Sequence, residues 1–141
     1  MTDPDVQPFV WPVRVYFEDT DAGGVVYHAR YLNFFERART ELLRSRGVEC
    51  EVLRLQHRLI WVVLEIQIKF LQAARLDDEL LVSAELSWFK GVRQGFRQQM
   101  TRKRDGVLVA TADLSAAMLH ADSLKPARMP AWLHKELFDE Q

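Results

Sequence analysis

Residues 28–47 read HARYLNFFERARTELLRSRG, and their period decides the architecture. Tyr31, Phe34, Phe35, Ala38, Leu42 and Leu43 recur at three- and four-residue intervals, while Arg30, Asn33, Arg37, Thr40, Glu41 and Arg44 take the other face. Gly47 stands where a helix would end, and Arg44 and Arg46 bring positive charge to the negative end of its dipole. The spacing predicts one amphipathic helix of about five turns.

Outward from this segment the pattern alternates instead. Upstream, Val13–Phe17 (VRVYF) predicts a short strand, with Val13, Val15 and Phe17 on one side, Arg14 and Tyr16 on the other, and a break at Ala22-Gly23-Gly24. Downstream, Leu64, Ile66, Ile68 and Phe70 oppose Glu65, Gln67 and Lys69; Leu80, Val82, Ala84, Leu86 and Trp88 oppose Ser83, Glu85 and Ser87. Residues 93–104 are polar on both faces but carry Phe96 and Met100, and Asp105-Gly106 predicts a hairpin turn into the strand Leu108 to Met118. Pro126 and Pro130 end that strand, and Ala131–Phe138 fits a short closing helix. The order is strand, long helix, four strands, which makes the fold class α+β. A long helix wrapped by one curved antiparallel sheet buries one sheet face, and the remaining face or edge is expected to meet a second copy.

The 141 residues suit a single domain, 1–141, and the formal net charge of −1 gives no electrostatic case for nucleic-acid binding. MTDPDVQPFVW has neither a basic start nor an apolar run, so no secretory signal is expected. The most apolar stretch, Leu59–Leu71, is interrupted by Glu65, Gln67 and Lys69 and is too short to span a bilayer. The lone cysteine, Cys50, excludes an intramolecular disulfide and suits a reducing compartment. A soluble cytoplasmic protein is expected.

Chemistry concentrates in residues 17–31, FEDTDAGGVVYHARY. Gly23 and Gly24 allow positive φ and close backbone approach, and the amides from Val25 to His28 lead into the helix, where N–H groups lack intrahelical acceptors. Those donors and the helix dipole can polarise a carbonyl. Taken alone, Asp21 fits two roles, satisfying free N–H groups near a helix start or acting on a substrate. Asp19, before the Gly-rich turn, is better suited to supporting the loop. Asp19, Asp21 and His28 supply too few oxygen ligands for a hard cation, so no metal is expected, and no cofactor.

The run VRVYFEDTDAGGVVYHARYLNFFERARTELLRSRG, residues 13–47, closely resembles the signature of the YbgC-type acyl-CoA thioesterases of the hot-dog superfamily, relatives of 4-hydroxybenzoyl-CoA thioesterase. AARLDDEL at 73–80 and DSLKPARMP at 122–130 extend the resemblance over nearly the whole chain. It implies a hot-dog fold, with a long helix wrapped by a five-stranded antiparallel sheet. It also implies pairing into dimers with a continuous sheet, assembly into tetramers, and interfacial sites that hydrolyse thioesters of coenzyme A or of acyl carrier protein.

Carried over residue by residue, the resemblance makes Asp21 the general base or nucleophile. It gives backbone amides around His28, with Gly24 and Val25, the task of polarising the carbonyl. The His28 side chain matches a histidine implicated in activity, to orient water or protonate the leaving thiolate; the alternative is a polar lid on the helix. Phe17 is a departure, because many relatives carry tyrosine there. Glu36 and Arg39 match an F-x-E-x-A-R pattern and are expected to pair, the alternative being that they reach into the neighbouring site. For the coenzyme A phosphates Lys90 and Arg93 are favoured, with Lys125 and Arg128 as further candidates. Phe34, Trp61 and Val63 line the acyl chain or are plain core, and His57, His120 and His134 are read as structural. Two other functions stay open beside hydrolysis: enoyl-CoA hydration, and a weakly catalytic scaffold for acyl carrier protein or Tol-Pal envelope partners, with peripheral attachment at the inner membrane.

Overall fold

A computed structural model of the chain describes residues 8–138. The ends of the expected 1–141 domain, including most of the stretch read for a signal, lie outside the described residues. Five strands, β1 (Phe9–Arg14), β2 (Leu59–Phe70), β3 (Glu79–Lys90), β4 (Arg93–Arg102) and β5 (Leu108–His120), form one antiparallel sheet ordered β1-β3-β4-β5-β2. The long helix α1 spans His28–Ser45. A short helix α2 (Cys50–Val52) continues into a π-helical turn at Leu53–His57, and α3 (Ala131–Phe138) follows β5. The expected α+β architecture is present.

The stripe anticipated on α1 is its buried face: Tyr31, Phe34, Phe35, Ala38, Leu42 and Leu43. Most of it packs with Val82, Ala84, Phe96, Met100, Ala112 and Leu114 into the main core. The inward positions of β5 include Ala110, Ala112 and Ala116, small side chains that leave room for the aromatic rings of the helix. A second cluster, with Leu43, Leu53, Leu59, Met118, Leu133 and Leu137, joins the C-terminal end of α1 to the π-turn and α3. Truncating Phe34 or Phe35, both wholly buried, would cost about 3–5 kcal/mol.

Three local readings change. The first strand is Phe9–Arg14, not Val13–Phe17: the chain turns through a 3-10 segment at Phe17–Asp19, which leaves Phe17 80% exposed rather than on an inner face. Strict alternation fails at Leu64, the extra residue of an irregularity between Val63 and Glu65. It fails again between Leu86 and Trp88, which moves Trp88 to the outer face over Gly95, where an added Cβ would lie 1.9 Å from the Trp88 Nε1.

The polarity of residues 93–104 also has an explanation. Gln94 and Gln98 point inward on β4 and are fully buried. Gln94 accepts from Trp61 Nε1 at 2.8 Å and donates to the Val92 carbonyl at 3.0 Å. Gln98 donates to the carbonyls of Phe35 and Ser83, tying the sheet to α1. Each amide is satisfied, as burial requires.

Candidate active site

Between β1 and α1 the chain forms a miniature hairpin in which Thr20 bridges Val26. Asp21 N–H donates to the Val25 carbonyl at 2.9 Å, and Gly24 N–H to the Asp21 carbonyl at 3.0 Å. Gly24 takes φ of 80°, the left-handed residue such a turn needs. Gly23 has no positive φ; its constraint is proximity, since its N–H donates to Asp21 Oδ1 at 2.8 Å and a Cβ would lie 3.2 Å from that oxygen. The Asp21 side chain therefore folds over its own turn. It is exposed, and Oδ2 has no partner among the described residues.

The hairpin is pinned on its return strand. Val26 N–H donates to the Ala74 carbonyl at 2.8 Å, and Ala74 N–H donates in turn to the Tyr31 hydroxyl on α1 at 3.1 Å. Tyr27 N–H donates to the Asp19 carbonyl at 2.9 Å. These bonds sort the amides expected to act as donors. Gly24 N–H is committed to closing the turn and leaves that set. Val25 and His28 keep N–H groups without an acceptor among the described residues, and His28 is the first residue of α1, at the positive end of its dipole.

The His28 ring is exposed and lies 4.4 Å from that of Tyr27. No hydrogen bond or ion pair joins it to Asp21 within the chain. Asp19 is buried; its Oδ2 accepts from Tyr16 N–H at 2.8 Å and its Oδ1 lies 3.8 Å from Arg30 Nε. Tyr16 and Phe17 both face solvent. Among the described residues no group of three or more His, Cys, Asp or Glu side chains is disposed to hold a metal ion.

The cationic candidates lie elsewhere. Lys90 pairs with Arg93 at the tip of the β3–β4 hairpin, around Gly91 at φ 63°. The segment bearing Lys125 and Arg128 runs beside that tip, because Met118 N–H donates to the Val92 carbonyl and Ala127 N–H to the Met118 carbonyl. All four side chains are exposed. The Asp21 hairpin is attached at Ala74 and Arg75, just before the opposite end of β3. Twelve residues of β3 separate the two ends, about 36 Å at the usual rise per residue. A single chain does not bring Lys90 and Arg93 to Asp21.

Glu36 and Arg39 do not make the expected ion pair. Arg39 Nη1 donates to Gln98 Oε1 at 2.9 Å instead. Burial pushes the Arg39 guanidinium below its ordinary pKa, and the charge of Glu36 pulls it partly back. Of the acyl-chain candidates, Phe34 is sealed in the core, Trp61 is half-buried against Gln94, and Val63 is exposed beside the β2 irregularity. Nothing in the sequence pattern singled out the partners Arg30, Gln98 or the Tyr31 hydroxyl, since none of these contacts is local in the chain.

The profile of the thioesterase-like superfamily matches residues 15–137. The chain belongs to this superfamily. The chain is 45% identical over 122 residues to the acyl-CoA thioesterase YbgC of Haemophilus influenzae, covering 86% of this chain and 88% of that protein. It is 39% identical to the acyl-CoA thioester hydrolase YbgC of Escherichia coli, covering 86% and 90%. Among solved structures, a probable thioesterase from Bartonella henselae superposes with a TM-score of 0.83 at 35% identity, covering 88% of this chain and all of that one. A 1,4-dihydroxy-2-naphthoyl-CoA thioesterase from Synechocystis shares the fold, with a TM-score of 0.86 at 22% identity over 94% and 97% of the two chains. The hot-dog fold and the thioester-hydrolase class expected of the thioesterase-like chain are thereby met. No described helix is long and apolar enough to cross a membrane.

Proposed function

We propose that the protein hydrolyses acyl-CoA thioesters, with Asp21 as the reacting carboxylate. The observation that carries this reading is the exposed Asp21 carboxylate, held by its own turn with one oxygen unpartnered among the described residues, on a hairpin whose return strand runs through the open amides of Val25 and His28 into α1. A thioester carbonyl directed at His28 N–H meets a donor and a helix dipole where negative charge develops. Asp21 then either takes a proton from the attacking water or attacks the carbonyl itself, giving a mixed anhydride that water cleaves. Either route breaks the C–S bond and yields a carboxylic acid and the free thiol of coenzyme A. The His28 imidazole is assigned the proton that the leaving thiolate takes up.

This reading includes a second copy of the chain. Among the described residues strand β2 is hydrogen-bonded on one side only, to β5, and it carries exposed Val63, Leu64 and Phe70. Antiparallel pairing of two β2 edges sets the Phe70 end of one chain beside the Leu59 end of the other. That brings the Asp21 end of each copy toward the partner end bearing Lys90 and Arg93, where coenzyme A phosphates need cations. The same surface suits the phosphopantetheine of an acyl carrier protein.

Thiol release from short-, medium- and long-chain and aromatic acyl-CoAs tests the proposal. Steady release with at least one member is the expected result. Loss of the enoyl absorbance of an enoyl-CoA without thiol release would replace hydrolysis by hydration. No turnover of any thioester would leave only the scaffold reading. Single-turnover hydrolysis in ¹⁸O-water identifies a nucleophilic route in which water cleaves the anhydride at the Asp21 carbonyl, since only that route places label in the Asp21 carboxylate.

A further inference from the structure

We infer that Asp19 and Arg30 form a positioning couple that sets the Asp21 hairpin against the first turn of α1; the inference rests on the reading of Asp21 as the reacting carboxylate. Asp19 joins the segment before the hairpin to the segment after it. Its own N–H donates to the Tyr16 carbonyl at 3.0 Å, and its Oδ2 accepts from Tyr16 N–H at 2.8 Å, closing the 3-10 turn on itself. Its carbonyl accepts from Tyr27 N–H at 2.9 Å, immediately before α1 begins. Its Oδ1 faces Arg30, in the first turn of that helix, at 3.8 Å.

Two features of this arrangement call for each other. A buried carboxylate is costly unless hydrogen-bonded and matched by positive charge. A cation in the first turn of a helix opposes the dipole and is unfavourable without an anion beside it. Asp19 is buried and Arg30 is partly exposed, so the pair sits at the rim with its anionic side held inside. Through these contacts Asp19 fixes both feet of the hairpin that carries Asp21. It also fixes that hairpin relative to the His28 N–H. Asp19 touches no position a thioester would occupy; it acts through Asp21 and His28.

The test compares Asp19→Asn, Asp19→Ala, Arg30→Gln and Arg30→Lys with wild type and Asp21→Asn, measuring kcat and KM for one turned-over acyl-CoA alongside Tm. Misplacement of a reacting group by about an ångström can cost roughly 100-fold, so kcat of Asp19→Ala should fall by about 10- to 100-fold with KM within about twofold. Arg30→Gln should fall in the same direction, and Arg30→Lys should recover most of the loss. Asp19→Asn, which keeps an acceptor for Tyr16 N–H but lacks the charge, should fall between wild type and Asp19→Ala. A purely structural role would lower Tm while leaving kcat of the folded protein unchanged, and that result overturns the couple. If Asp19→Ala does not fold, Asp19→Asn and Arg30→Gln decide by the same criterion. Loss in Asp21→Asn with full kcat in the Asp19 and Arg30 variants refutes positioning alone. Full turnover in Asp21→Asn removes the catalytic reading and the couple with it.

Discussion

Replacing Gln98 and Arg39 together should cost well under the sum of the two single losses. Gln98 has no exposed surface, and it is the only residue bonded to the half-buried Arg39 guanidinium among the described residues. Gln98→Leu leaves that guanidinium without an acceptor. A hydrogen bond to a charged group is worth about 1.5–3 kcal/mol, so a loss of about 2–3 kcal/mol is expected. The carbonyls of Phe35 and Ser83, which Gln98 also serves, belong to helix and strand segments and add little. Arg39→Met leaves the Gln98 oxygen buried and unpaired, at about 1–3 kcal/mol.

Replacing both partners removes the stranded groups as well as the bond. Arg39→Met/Gln98→Leu should therefore be destabilised by about 2 kcal/mol rather than the sum of the single losses, a coupling of about 2 kcal/mol. Urea unfolding of the four proteins at one fixed protein concentration measures it, because subunit association makes apparent stability depend on concentration. Single losses that add to the double within about 0.5 kcal/mol would refute the claim that these two side chains form one unit.

Gly24→Ala should lower stability by about 1–2 kcal/mol through backbone strain alone, since its φ is 80° and no atom crowds the new methyl; thermal melts check this, and kcat should fall with the turn. Phe17→Tyr should leave stability within about 0.5 kcal/mol, its ring being exposed, and raise kcat if the missing hydroxyl serves the reaction. An unchanged kcat would show that the tyrosine of the relatives is dispensable here. Lys90→Ala with Arg93→Ala should raise KM about tenfold for an acyl-CoA but not for the matching acyl-pantetheine, which carries no phosphate. An equal rise for both substrates would move the phosphate contact elsewhere.

The long helix was legible because its burial is one-sided: the stripe from Tyr31 to Leu43 is the face that packs on the sheet. The strands were legible in their alternation but not in their irregularities. Leu64 and Trp88 continue the apolar rhythm in sequence, and only pairing against β5 and β4 shows the residue that breaks it. Gln94 and Gln98 obscured β4 because buried amides look like surface polarity until their partners are found in β2 and α1. The short helical stretch Cys50–His57 carries no repeating pattern in the sequence; it is held by Leu53 in the second cluster. At the site, Asp21 and the glycines stood out as a local turn. The assignment of Gly24 N–H to that turn, and of Arg30 rather than any nearer residue to Asp19, depends on how the chain folds back.

The measurement that bears most directly on the account is thiol release by Asp21→Asn beside wild type, on an acyl-CoA that the wild type turns over, with both proteins matched in fold by circular dichroism and in size by light scattering. The substitution keeps the hydrogen bond from Gly23 N–H in place and removes only the charge and the basicity. The account predicts a fall in kcat of at least about 100-fold, the least that loss of a general base or nucleophile entails. A correctly folded Asp21→Asn protein with near-wild-type kcat would contradict it.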